Sequence, residues 1–166
     1  MNGYHYAYAV FHGPTYRSRY AEALKIDFPR LPLTSGKAAF ARLVGLGQEL
    51  AGLHLLENVP KPRTAYPHAG DNIVARTGKI AYKPPTSQAP GRVYVNDSQY
   101  FDNVPPEVWD FHVGGYQVCE RWLKDRKGRN LSYDDIEHYR QVTEAVRQTL
   151  RLMKEVDQSI PTWPLT

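Results

Sequence analysis

The sequence predicts an α+β fold: a helical N-terminal segment, central short antiparallel strands and long C-terminal helices. Three observations carry this. Apolar residues recur at helical spacing in the first and last thirds of the chain. Between them, proline and glycine punctuate short alternating runs. The elements also come in blocks, helices then strands then helices, instead of alternating. The 166 residues are read as a single domain, 1–166, with 1–57 helical, 58–113 strand- and loop-rich and 114–166 helical.

Tyr4 to Asp27 reads as two helical pieces broken at His12-Gly13-Pro14, with Pro14 near the first position of the second. Tyr16, Tyr20, Ala23 and Leu24 share one face of that second piece. Pro29-Arg30-Leu31-Pro32 ends it in an extended segment. Ser35 is expected to cap a long helix over 36–57 whose apolar face is Phe40, Leu43, Val44, Leu50, Leu53 and Leu56. Gly45, Gly47 and Gly52 lower its propensity but permit close packing.

From Val59 the composition changes, with six prolines before Gly91. Ile73-Val74-Ala75-Arg76 and Ile80-Ala81-Tyr82-Lys83 read as a hairpin around Thr77-Gly78-Lys79. Arg92 to Asn96, Tyr100-Phe101 and Val108 to Val113 are further strand candidates. Gly114-Gly115 is a turn, and Tyr116 to about Arg126 is an amphipathic helix that Gly128 stops. Ser132 with Asp135 three residues on resembles a capping box. A long final helix follows, with Ile136, Tyr139, Val142, Val146, Leu150, Met153 and Val156 on one face.

Composition narrows the function classes. No apolar run reaches the length of a membrane span, and Met1 to Val10 lacks the pattern of a signal peptide. A single cysteine, Cys119, allows no internal disulfide and points to a reducing, cytoplasmic setting. The six histidines are scattered, so no metal site is expected, and His54 reads as a satisfied core or boundary residue rather than a ligand. Ser35-Gly36-Lys37 lacks the rest of a phosphate-binding loop, and Gly45-x-Gly47 falls inside a helix. Lys83-Pro84-Pro85-Thr86 cannot act as a base-binding methyltransferase loop, since Lys83 only donates and Thr86 has no ring. Asp125-Arg126-Lys127 with Asp110 upstream has a nuclease-like pattern but lies in a basic helix tail. No catalytic residues are therefore assigned.

Charge is more informative. The chain has 21 basic and 17 acidic residues, a formal +4. Arg121, Lys124, Arg126, Lys127 and Arg129 fall within nine residues, opposed there only by Asp125. Such a run can be a solvated helix end complementing the dipole. It can also replace counterions on a phosphate backbone. Lys124, Arg126, Lys127 and Arg129, with Arg17 and Arg19, are the candidates for backbone contact. Arg76, Lys79, Lys83, Arg92, Asn96 and Gln99 are the candidates for reading bases, because Arg matches guanine and Asn or Gln matches adenine.

Three stretches carry a family resemblance. They are Tyr16-Arg17-Ser18-Arg19-Tyr20 running on to Asp27-Phe28-Pro29-Arg30-Leu31-Pro32; Gly91-Arg92-Val93-Tyr94-Val95-Asn96; and Gly114-Gly115-Tyr116-Gln117-Val118 through Trp122-Leu123-Lys124-Asp125-Arg126-Lys127-Gly128-Arg129 to Leu131-Ser132. Together they resemble the C-terminal specificity domain of type ISP restriction-modification enzymes, from about Tyr4 to Trp163. The resemblance implies a non-catalytic target-recognition domain that binds double-stranded DNA and serves catalytic parts outside this chain. Those parts are an adenine-specific DNA methyltransferase and helicase and nuclease domains. The domain itself would hold no cofactor; the parent methyltransferase would use S-adenosylmethionine. The shared block is expected to be scaffold and phosphate contact, with Trp122 and Leu123 in the core, and specificity is expected between Asp71 and Asn103. The alternative is a protein-interaction module that docks on methyltransferase or helicase domains without reading DNA.

Overall fold

A computed structural model describes residues 1–21, 24, 31–77 and 80–160. The α+β expectation holds, with helices at both ends and short antiparallel strands between. The chain divides into two compact units: Met1–Asn58 with Gln148–Thr166, and Val59–Arg147. The boundary after Asn58 coincides with the change in composition at Val59.

In the first unit, α1 (Asn2–His12) and α2 (Pro14–Arg19) flank Gly13, with Pro14 at the start of α2. Proline is suited there because its missing N–H has no intrahelical partner anyway. The long helix α3 (Lys37–His54) packs along α1. Its N-cap is Gly36 and not Ser35, with Gly36 N–H donating to Thr34 Oγ1 at 3.1 Å. Leu56 lies beyond the helix at φ +56, so the apolar stripe ends at Leu53. Gly47 makes the helix pair possible: a Cβ there would sit 1.7 Å from the His5 carbonyl oxygen. Tyr6 is buried, stacks on Phe40 at 4.9 Å, and donates its hydroxyl to the Pro32 carbonyl at 2.9 Å. Thr15 Oγ1 donates to the Asp157 carboxylate at 2.8 Å, and Arg42 Nε donates to Ser159 Oγ at 2.7 Å. Both ring nitrogens of His54 are engaged, with the Tyr8 hydroxyl at 2.6 Å and Thr149 Oγ1 at 3.1 Å. Ala23, Pro29, Arg30 and Trp163 lie outside the described residues.

The second unit is built on an antiparallel sheet in the order β1 (Ala81–Lys83), β2 (Arg92–Tyr94), β3 (Tyr100–Asp102). The register pairs Tyr82 with Val93 and Val93 with Phe101 on the inner face. Lys83, Arg92 and Asp102 align on the other face, as do Ala81, Tyr94 and Tyr100. The hairpin expected between Ile73–Arg76 and Ile80–Lys83 does not form, because β1 pairs with β2 instead. Gly78 and Lys79 are outside the described residues. Val108 and Trp109 belong to a short helix, α4 (Pro106–Trp109), and not to a strand. Pro105 and Pro106 fix the φ values that start a helical turn there. A hairpin follows, β4 (His112–Val113) and β5 (Tyr116–Gln117), turning at Gly114 with φ +58. Tyr116 therefore extends the hairpin, and the helix α5 (Val118–Lys124) begins two residues later than expected.

The capping box forms: Asp135 N–H donates to Ser132 Oγ at 3.1 Å, and Ser132 N–H donates to Asp135 Oδ2 at 2.9 Å. It opens the final helix, α6 (Tyr133–Ser159), whose residues up to Arg147 belong to this unit. Tyr139 is fully buried, 4.3 Å from the Phe101 ring and 5.0 Å from Trp122. Its hydroxyl donates to the Cys119 carbonyl at 3.1 Å. Burial pushes the Cys119 thiol up to about 12, so the sulfur stays a neutral packing group. Leu123 is in the core as expected, whereas Trp122 is only half-buried.

Candidate nucleic-acid interface

The basic run begins on α5, where two of its charges are neutralised along the helix. Arg121 pairs with Asp125 at 3.0 Å and Lys124 with Glu120 at 2.6 Å, both four residues apart. After Lys124 the chain turns, and Gly128 adopts φ +74, a conformation that costs glycine little. Arg126 lies back over the Trp122 ring at 3.7 Å and donates to the Trp122 carbonyl at 3.0 Å. Lys127 and Arg129 are exposed and make no ion pair among the described residues.

A distant segment completes this turn. Val74 N–H donates to the Arg129 carbonyl at 3.0 Å, Gly128 N–H to the Val74 carbonyl at 2.7 Å, and Leu131 N–H to the Asn72 carbonyl at 2.8 Å. Asn130 Nδ2 donates to the Asp71 carbonyl, and Ala75 N–H ties the segment to Val95 at 2.8 Å. Val74 is fully buried beneath this pairing. The result is that Arg76 lies against Gly128: a Cβ on Gly128 would come within 2.6 Å of Arg76 Nε. One base-reading candidate, the exposed Arg76, thus joins the half-buried Arg126 and the exposed Lys127 and Arg129 in a ridge at this turn. Asp135 lies beside it, its carboxyl held below the usual range by the Ser132 hydrogen bonds and by Arg126 and Arg129.

The remaining candidates are placed differently. Gln99 is buried, and its amide is committed to the loop it organises. Its Nε2 donates to the His68 carbonyl at 3.0 Å and to Asn72 Oδ1 at 2.8 Å, and its Oε1 accepts from Asn72 N–H and Asn96 Nδ2, each at 2.9 Å. The expectation that Gln99 reads a base is corrected: no edge of it is free. Asn96 is half-buried in the same network and accepts the Gln99 and Ser98 N–H groups at 2.8 and 3.1 Å, so its side chain builds the turn. Arg92 is half-buried, ion-paired to Asp102 at 3.0 Å and laid over the Tyr100 ring at 4.4 Å. Lys83 is exposed on the same sheet face, over the Tyr94 ring at 4.5 Å. Lys79 lies outside the described residues. Arg17 and Arg19 are exposed on α2 in the other unit, with Arg17 Nε donating to the Phe11 carbonyl at 2.8 Å.

Reading the sequence missed the joining of residues 72–76 to 128–131. No local pattern signals a pairing across more than fifty residues, since side-chain periodicity reports only what a segment does to itself. Among the described residues no cluster of His, Cys, Asp and Glu is placed to hold a metal ion, and no helix is long and apolar enough to cross a membrane.

Fold and site together define an α+β module that carries a cationic ridge on a backbone-paired turn. Residues 3–155 match the family model described as the Type ISP C-terminal specificity domain, and the chain belongs to that family. A search of curated proteins gives no match. Among solved structures, the chain is similar to a nuclease-deletion mutant of the Type ISP restriction-modification enzyme LlaGI in complex with a DNA substrate mimic. The TM-score is 0.66 at 25% identity, covering 93% of this chain and 13% of that one. In the DrdV–DNA complex the similarity has TM-score 0.67 at 23% identity, over 93% of this chain and 18% of the other. The ATP-dependent Type ISP restriction-modification enzyme LlaBIII bound to DNA shares the fold at TM-score 0.62 and 20% identity, over 99% and 11%. This chain therefore spans less than a fifth of the length of each.

Proposed function

We propose that this chain is a DNA-binding target-recognition domain that supplies sequence specificity to catalytic domains lying outside it. The observation that carries the reading is the ridge of Arg76, Arg126, Lys127 and Arg129, in which no cation is ion-paired to a carboxylate among the described residues. A ridge of this kind gains by releasing counterions from a phosphate backbone. The family to which the chain belongs, and the DNA-bound state of the three similar structures, support the same reading. Within it, Lys127 and Arg129 contact phosphates and position the domain. Arg76, whose exposed side chain passes beside Gly128, reads guanine bidentately in this reading. Lys83 on the outer sheet face is the next reader, while Arg92 acts through its fixed pairing with Asp102.

The domain performs no chemistry of its own in this reading. The parent polypeptide would be a cytoplasmic restriction enzyme carrying an adenine-specific methyltransferase that uses S-adenosylmethionine, together with helicase and nuclease parts.

The test is duplex binding by fluorescence anisotropy across a salt series, with wild type and Lys127→Ala/Arg129→Ala. Wild-type affinity should fall steeply with salt, and the double variant should flatten the slope of log K against log salt by about two. Arg126 is left out of this variant because its packing on Trp122 would confound the result. Wild type that does not bind duplex at low salt would leave the module as a docking surface for methyltransferase or helicase domains.

A further inference from the structure

The β4–β5 hairpin carries a feature that the cationic ridge does not explain. Val113 and Tyr116 are cross-strand partners flanking the Gly114-Gly115 turn, and they are 58% and 59% exposed. Single exposed apolar residues are ordinary, but two facing each other at the tip of a tight hairpin form a small apolar blade. Tyr116 is also held in place. The Arg121 guanidinium lies 5.2 Å from its ring centroid, and Asp125 fixes Arg121 in turn at 3.0 Å. Beside the ring, His112, Gln117, Glu120 and Lys124 line a shallow polar cleft.

Position supplies the occupant. The hairpin runs directly into α5, and α5 runs directly into the cationic turn. Seven helical residues separate them, a rise of about 10 Å, comparable to a groove of duplex DNA. Charge on the turn and an exposed aromatic tip thus flank α5, matching the phosphates of a duplex and the base steps of its groove. We propose that the tip is an aromatic wedge that enters this groove, with Tyr116 stacking on a base step and Val113 filling the space beside it. Apolar and aromatic side chains act in this way where proteins unstack or bend a duplex. The proposal rests on the DNA-binding reading given above and adds a non-ionic contact to it.

The experiment starts from the duplex that wild type retains from a random-sequence pool, relabelled with 2-aminopurine at successive positions. Wild type should raise 2-aminopurine fluorescence at one step, as stacking there is broken. Tyr116→Ala should weaken binding about tenfold and abolish that signal, while the slope of log K against log salt stays as in wild type. Tyr116→Phe should restore both, because the ring and not the hydroxyl makes the contact. Unchanged melting temperature in Tyr116→Ala shows that the exposed ring contributes little to folding. Wild-type affinity and signal in Tyr116→Ala, or a Phe variant as weak as Ala, overturns the wedge while the DNA reading stands. Failure of wild type to bind any duplex overturns both.

Discussion

Glu144 is 1% exposed and lies between two guanidiniums, with Arg63 Nη2 at 3.0 Å and Arg147 Nε at 3.2 Å. Arg147 also donates to the Asn103 carbonyl at 2.8 Å, and burial together with Arg63 lowers its proton affinity. Removing the carboxylate leaves two cations facing each other, one of them largely desolvated. Glu144→Ala should therefore cost about 3 kcal/mol or more in urea unfolding. A loss below about 1 kcal/mol would mean that the triad is not a structural unit. Asp135 gives a pH-dependent counterpart. Its folded pKa is depressed, so the stability it contributes is present above its unfolded value of about 3.9 and lost as pH falls through the folded value. Melting curves of wild type and Asp135→Asn should thus differ at neutral pH and converge on acidification. Parallel curves down to the acid limit would contradict the assignment.

At the scale of elements, two glycines set geometry that no side chain could. The crossing of α1 and α3 depends on Gly47, where the His5 carbonyl occupies the place of a Cβ. Gly47→Ala should cost about 1–3 kcal/mol by forcing the helices apart, as read by thermal denaturation. Gly128 and Gly114 both have positive φ, but only Gly128 would also strike a neighbour, the Arg76 side chain. Alanine at Gly114 adds backbone strain alone, so Gly128→Ala should be the more destabilising of the two. Equal losses would show that Arg76 does not lean on the turn. The helical elements were legible because their signals are local: the Gly13-Pro14 break and the Ser132–Asp135 box appear where expected, while α5 ends at Lys124 with Asp125 as its C-cap, short of the expected stop at Gly128. The strand partners were not. Ile73–Arg76 has the composition of a hairpin arm, yet the hydrogen bonds of Val74 go to Arg129 and Gly128.

On the scale of the whole molecule, the formal +4 says little, because most cations among the described residues are ion-paired or laid over an aromatic ring where they stand. Binding should follow the local ridge and not the total. Lys154 is exposed on α6, and its loss changes the net charge as much as loss of Lys127 does. Lys154→Ala should leave the salt slope of duplex binding unchanged, whereas Lys127→Ala should lower it by about one. Equal reductions would mean that diffuse charge, and not the turn, attracts the nucleic acid.

By itself the sequence determined the class of fold, the helix boundaries to within a few residues, the family and the position of the basic run. Each follows from periodicity, capping chemistry or a contiguous block of residues. The tertiary structure alone decided which of the polar candidates are free. It buried Gln99 in a four-bond network, turned Asn96 inward, paired Arg92 with Asp102 and brought Arg76 to the turn at Gly128. The reason is physical. A buried amide must satisfy its hydrogen bonds and a half-buried guanidinium its charge, and their partners lie wherever the fold brings them.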